Sequence, residues 1–275
     1  EEATLLVFDG AGEDVSTTLA VGAGTDLRVL RSIPWPHSLG HFYSAMTGFL
    51  GFAMLDGEYK MMGLAPYGSP DYLPFIRQNI LLTDAPGSYR LNGDLLDYHA
   101  ALKKQFHPKL LEAFGSPRLS DDAPFTERHR QIAASAQAAF EEVVGDMASW
   151  AFQQGGKRTN VAIAGGCGLN CSANGKLLRD GPFTRMYVPP APHDAGCAVG
   201  AALLLHHERL GKPRQFEMTH AYYGPAYGEQ DIGRALCALG LEARPMADEE
   251  ALLQRAVQAL CSGQILAWFQ GPMEF

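Results

Sequence analysis

The sequence predicts an α/β fold, and three observations carry that expectation. Three strand-like runs fill residues 3–33, apolar residues recur at helical spacing through 126–154, and an apolar strand at 160–164 runs into glycines and a further helix. Both periods in one chain, with a strand–turn–helix unit among them, imply a mixed sheet flanked by helices.

Taken in order, residues 3–8 are apolar, Asp9 to Gly12 forms a turn, and 16–21 and 27–33 alternate around a second glycine turn, a β-meander. A helix follows at 40–54, then a short one that ends at 63–68 around Pro66. Residues 70–126 carry scattered prolines and polar runs, with short helical stretches at 100–106 and 110–114, and read as an insertion or lid. In the 126–154 helix, Ile132, Ala136, Phe140, Val143 and Met147 share one stripe that should pack across the sheet. After the strand at 160–164 come a helix to about 178, a strand at 186–188 and a helix from 196. Beyond Pro213 the pattern restarts with helices at 229–239 and 248–262 and a strand at 265–269, dividing the chain into regions 1–212 and 213–275.

The 275 residues are 47% apolar and can bury a large core. A net charge of −8 with no basic run disfavours nucleic acid as a partner. No apolar run approaches the roughly 20 residues of a membrane span, and no leader pattern is visible. Five cysteines without repeated pair spacing fit a reducing compartment, so a cytoplasmic location is expected. The absence of Met before Glu1 and the stop at Phe275 read as a fragment of a longer chain.

Four stretches carry candidate chemistry. Phe8-Asp9-Gly10-Ala11-Gly12-Glu13 places a carboxylate and two glycines at a strand end, where backbone N–H groups can approach a phosphate and the acid can face a cation; an ordinary hairpin turn reads the same way. Gly165-Gly166-Cys167-Gly168-Leu169-Asn170 delivers a strand onto a helix start, with backbone amides for phosphate or ribose and in Asn170 both a donor and an acceptor. His193-Asp194-Ala195-Gly196 puts an acid before a small-residue helix, either as an N-cap or as a metal ligand. In Gly57-Glu58-Tyr59-Lys60-Met61-Met62-Gly63-Leu64-Ala65-Pro66-Tyr67-Gly68, Glu58 and Lys60 can meet ribose hydroxyls or phosphate, or simply be solvated.

In this order, and joined by Ser38-Leu39-Gly40-His41-Phe42-Tyr43 and by Ala267-Trp268-Phe269-Gln270-Gly271-Pro272-Met273-Glu274, these stretches resemble the NodU/CmcH O-carbamoyltransferase family over nearly the whole chain. Residues 70–126 match least. The resemblance implies an actin-like (ASKHA, Kae1-like) lobe followed by the beginning of a YrdC-like α/β domain. It implies ATP as cofactor with a carbamoyl adenylate intermediate, a divalent metal (Fe2+ in many members, or Mg2+ with ATP), carbamoyl phosphate as donor and a hydroxylated small-molecule acceptor. A homo-oligomer is compatible with it.

By that resemblance Asp9 and Asp194 are the metal-site and catalytic aspartates. Gly10, Gly12, Glu58, Lys60, Gly63, Gly165, Gly166 and Asn170 are the nucleotide-binding positions. The family's two metal-binding histidines fall before Glu1. His37 and His41, at i, i+4 spacing, are not taken as substitutes, because Gly40 weakens a helix between them and the family uses this segment for packing. Cys167 and Cys171 are expected as small core residues, and His206 and His207 near a helix end. Two rival readings stay open: another actin-fold ATP-dependent enzyme, such as a sugar kinase or a tRNA threonylcarbamoyl transferase, and a nucleotide-binding module without catalysis.

Overall fold

A computed structural model describes residues 2–96 and 106–274 and separates them into two compact units, Glu1–Pro213 and Arg214–Phe275. In the first unit, strands β1 (Glu2–Phe8), β2 (Val15–Ala23) and β3 (Asp26–Pro34) form the antiparallel meander expected from their alternation. β3 is a sheet edge, and its Leu27 and Val29 stay exposed.

Helix α1 (Leu39–Phe49) starts on Ser38, whose hydroxyl accepts from the His41 N–H. It stops five residues short of the expected end. Gly51 takes φ +80 beside the Arg118 carbonyl, a conformation a helix cannot continue through. Next come α2 (Glu58–Leu64) and a 3-10 turn, Ala65–Tyr67, around Pro66. Helix α3 (Leu73–Asn79), the short strands β4 (Leu81–Leu82) and β5 (Arg90–Leu91) and helix α4 (Pro108–Phe114) then follow. In the stretch expected as an insertion or lid, Ile76, Ile80, Tyr89, Leu91, Leu110 and Phe114 are buried in the same apolar core as the sheet. The helical run expected at 100–106 lies, apart from Phe106, outside the described residues.

Helix α5 (Glu127–Gln154) is the longest element. Its start is a reciprocal cap, in which Thr126 accepts from the His129 N–H while His129 Nδ1 accepts from the Thr126 N–H. Ile132, Ala136, Ala139, Phe140, Val143, Met147 and Ala151 form the buried stripe that the 3.6 period requires. Strand β6 (Asn160–Ala164) pairs parallel with β1, setting Leu6 between Leu19 and Ile163 at the sheet centre. Helix α6 (Cys171–Asp180) leads to β7 (Arg185–Tyr187), parallel to β6, which completes the order β3-β2-β1-β6-β7. Helix α7 (Cys197–Leu204), none of whose residues is buried, runs on into a π-helical turn, Leu205–Arg209, near the end of the unit.

The second unit holds α8 (Glu229–Ala238) and α9 (Glu249–Cys261), the latter capped by the Asp248 carboxylate on the Ala251 N–H. Residues 265–269, expected as a strand, form none. They pair with no strand among the described residues, and Ile265 is fully exposed; an apolar run becomes a strand only beside a hydrogen-bonding neighbour. No described helix is long and apolar enough to cross a membrane.

Candidate functional site

Because β1 and β6 are parallel neighbours, the loops at their C-terminal ends meet at one edge of the sheet. There the first unit has a cavity of about 550 Å3, lined by Asp9, Gly10, Gly166 and Asn170 from these loops and by side chains of α1, α2 and α5. The two glycine stretches, 157 residues apart in sequence, converge on one atom. Asp9 Oδ1 accepts from the Gly10 N–H at 2.7 Å and from the Gly166 N–H at 3.2 Å.

Helix α1 is clamped onto this loop. Its N-cap Ser38 hydroxyl donates to the Asp9 carbonyl at 2.9 Å, and a Cβ on Gly40 would lie 2.7 Å from the Gly10 nitrogen, so only glycine admits that approach. The clamp is fixed from behind by Tyr89, whose hydroxyl accepts from the Leu39 N–H at 3.1 Å and bonds the His37 carbonyl at 3.1 Å. Burial pushes the Tyr89 phenol up to about 12. His37 precedes the helix and its Nδ1 accepts from the Leu91 N–H, so the two histidines do not share a helical face. His41 does lie beside Gly10, where an added Cβ would come 3.4 Å from its Nε2.

Gly165 works from behind the cavity. It adopts φ +86, and a Cβ there would fall 1.9 Å from the Phe8 carbonyl, so its absent side chain is what lets the two loops touch. Its N–H donates to the Pro192 carbonyl at 2.7 Å. The backbone donors expected to face a ligand at Gly10, Gly12, Gly165 and Gly166 are therefore engaged within the protein, Gly12 with the Val15 carbonyl at 3.0 Å.

Asn170 is buried and caps α6, accepting from the Ala173 N–H at 3.0 Å. It also forms a two-way amide pair with Gln137 of α5, at 3.0 and 3.1 Å. Both lone pairs of its carbonyl are thereby used, so it has one N–H and no acceptor to offer a ligand, narrower than the donor-and-acceptor expectation. Gln137 also accepts from the Tyr43 hydroxyl at 2.6 Å and donates to Glu141 at 2.8 Å. Burial holds the Tyr43 phenol far above its usual range, which keeps it a donor. Neither Tyr43 nor Gln137 is among the site residues expected from the sequence; polar residues on otherwise apolar helix faces were the available signal.

Of the fourth stretch, Glu58 reaches the cavity. Its carboxylate accepts from the Ser44 hydroxyl at 2.5 Å and the Leu55 N–H at 2.8 Å. Lys60 instead pairs with Asp121, and Gly63 is exposed, with open space where a Cβ would lie; neither lines the cavity. Asp194 is exposed and also absent from the lining, although its neighbour His193 belongs to it. Cys167 is half-buried against the cavity, its thiol pushed up by burial and by the charges of Asp9 and Glu58, whereas Cys171 is exposed rather than in the core.

Asp9, Asp56 and Glu58 line the cavity, with no Lys or Arg among its described lining residues. Such a site disfavours a bare polyanion and favours a ligand that arrives with a cation. Yet no group of three His, Cys, Asp or Glu among the described residues is placed to hold a metal ion. The two predicted metal aspartates, Asp9 and Asp194, the latter outside the cavity, are fewer donors than a divalent cation takes, so these two alone do not form a metal site.

Residues 1–203 match the family model described as carbamoyltransferase N-terminus. The chain is 40% identical over its full length to an uncharacterized protein of Synechocystis, covering 45% of that protein. It is 37% identical over its full length to the nodulation protein NolNO of Sinorhizobium fredii, covering 38% of it. With the 3'-hydroxymethylcephem-O-carbamoyltransferase of Streptomyces clavuligerus it shares 26% identity over 98% of the chain and 47% of the relative. The chain thus spans less than half the length of these relatives. A match over residues 1–203, together with likeness to both nodulation and cephem-modifying proteins, places the chain in the NodU/CmcH-type carbamoyltransferase family.

Proposed function

We propose that the chain is the nucleotide-binding part of an O-carbamoyltransferase that converts carbamoyl phosphate and ATP to carbamoyl adenylate and passes the carbamoyl group to a hydroxyl of a small natural product or sugar. The observation that carries this reading is the convergence of both glycine turns on Asp9 at the mouth of a cavity large enough for a nucleotide portion. A mixed sheet whose parallel neighbours bring two such turns to one edge supports an actin-like, Kae1-like lobe, and residues 213–275 are proposed as the start of a YrdC-like domain. The protein is assigned to the cytoplasm.

In this reading water first releases phosphate from carbamoyl phosphate to leave carbamate, and a carbamate oxygen then attacks the α-phosphorus of ATP, displacing pyrophosphate and forming the adenylate. The acceptor oxygen then attacks the carbamoyl carbon, the hydroxyl proton is released and AMP leaves. Asn170 supplies an N–H to the bound nucleotide and Glu58 a carboxylate for ribose hydroxyls. Asp9 and Asp194 are the carboxylates proposed for a divalent metal, with its further ligands supplied from beyond the described residues. Removal of divalent cations should weaken ATP binding at least tenfold, because the cavity is lined by carboxylates.

The decisive experiment incubates the full-length protein with ATP, carbamoyl phosphate, a divalent metal and a panel of hydroxylated acceptors, and follows the acceptors by mass spectrometry. An ATP-dependent carbamoyl increment is expected, and formation of carbamoyl adenylate or AMP alone would leave the activation step standing with the acceptor missing from the panel. If metal-loaded protein forms neither, the reading falls in favour of a nucleotide-binding module without catalysis.

A further inference from the structure

We infer that Gln137 is a positioning residue for the nucleotide cavity, acting through Asn170; the inference rests on the nucleotide reading proposed above. Gln137 sits on the buried face of α5, 6% exposed, where a polar side chain is costly unless fully bonded. It is fully bonded. Its carbonyl accepts from Tyr43 and from the Asn170 amide, and its own amide donates to Glu141 and to the Asn170 carbonyl. With two acceptor and two donor positions all used, its orientation has no alternative of equal energy.

That orientation decides which end of the Asn170 side chain faces which way. The Asn170 carbonyl is held between the Ala173 N–H and the Gln137 amide, so the nitrogen end turns toward Gln137 and keeps one N–H unassigned. An isolated Asn side chain at a helix N-cap is free to lean or rotate about its last torsion. Locked by Gln137, it presents a donor of fixed direction beside the cavity that Asn170 lines. The lock joins three helices: Tyr43 from α1, Gln137 and Glu141 from α5, and the N-cap Asn170 and Lys176 of α6, where Lys176 pairs with Glu141 at 3.0 Å. Preorganising a donor in this way saves the entropy of ordering it when the ligand binds.

A double-mutant cycle on ATP affinity in the full-length protein, read by calorimetry with Mg2+ present, tests this. Asn170→Ser keeps an N-cap oxygen and removes the amide. Gln137→Leu should weaken ATP binding about tenfold in the wild-type background and less than twofold in the Asn170→Ser background. Equal losses in both backgrounds, or no loss in either, would overturn the inference. Where the leucine variant does not fold, Gln137→Glu keeps the volume and both acceptors while removing the donors, and the same non-additivity is expected.

A second readout needs no ligand. Nuclear magnetic resonance of the Asn170 side-chain amide in the free protein should show a slowly exchanging proton that becomes fast in Gln137→Leu, and unchanged exchange would also sink the inference. If wild-type protein binds no ATP, the nucleotide reading fails, and the amide exchange still decides whether Gln137 holds Asn170.

Discussion

Asp9 and Asp194 are both acids next to small residues at a change of secondary structure, and the family resemblance gives them the same role, yet their surroundings are opposite. Asp9 is pinned by two N–H donors, its own carbonyl takes the Ser38 hydroxyl, and α1 closes over it on Gly40. Asp194 lies in a short 3-10 turn, exposed, followed by α7 with no buried residue. A strand end beside a parallel neighbour inherits the rigidity of the sheet. The turn at Asp194 is tied to that frame through the Pro192 carbonyl, which accepts from the Gly165 N–H, but the Asp194 side chain itself is exposed.

The sharpest way to break that comparison is at the contact that brings the loops together. Gly165→Ala forces a left-handed backbone onto an L-residue and drives a Cβ into the Phe8 carbonyl, so a loss of about 3 kcal/mol or more in urea unfolding is expected, with ATP binding abolished. A variant as stable as wild type would show that the two loops need not touch.

The paired substitutions Asp9→Ala and Asp194→Ala come next. Removing the Asp9 carboxylate leaves two loop N–H groups unpaired and should cost about 1–3 kcal/mol of stability. Asp194→Ala should change stability by less than about 0.5 kcal/mol. In the full-length protein Asp194→Ala should nonetheless abolish carbamoyl transfer while ATP-dependent adenylate formation continues. Loss of both steps together would place Asp194 in the activation half as well.

Gly166→Val sets a branched side chain 3.1 Å from Asp9 Oδ1 and should weaken ATP binding at least tenfold, measurable by calorimetry; unchanged affinity would remove that turn from the site. The cysteines sharpen the contrast between pinned and open positions. With its pKa raised, the Cys167 thiol stays protonated at pH 8, so iodoacetamide should label exposed Cys171 first, as peptide mass spectrometry would show. Smallest of all, Gly63→Ala meets nothing within 4 Å and should stabilise α2 by about 0.5–1 kcal/mol without changing ATP affinity. A marked loss of affinity would return Gly63 to the nucleotide site.

Local pattern made most of the secondary structure legible. Strand β6 and helix α5 fall within a residue or so of where apolar periodicity put them, because hydrophobic spacing acts over a few residues. The strand expected at 265–269 failed for the converse reason, since its apolar residues carry no information about whether a partner strand lies alongside. In the site, Asp9, Gly10, Glu58, Gly166 and Asn170 were legible as motif residues and meet at one cavity, while Gly12, Lys60, Gly63 and Gly165 belong to turns, a surface ion pair and loop packing.

By itself the sequence determined most of the elements of the sheet and its long helix, the glycines at the two turns and the family, because each rests on short runs of residues whose chemistry is local. Only the tertiary structure decided that Asp9 takes the N–H groups of both turns, that Gln137 uses up the acceptor of Asn170, and that Lys60 turns to Asp121 and away from the cavity. Those outcomes depend on which groups compete for one donor or acceptor across gaps of 33 to 157 residues, and that competition is settled only when the chain is packed.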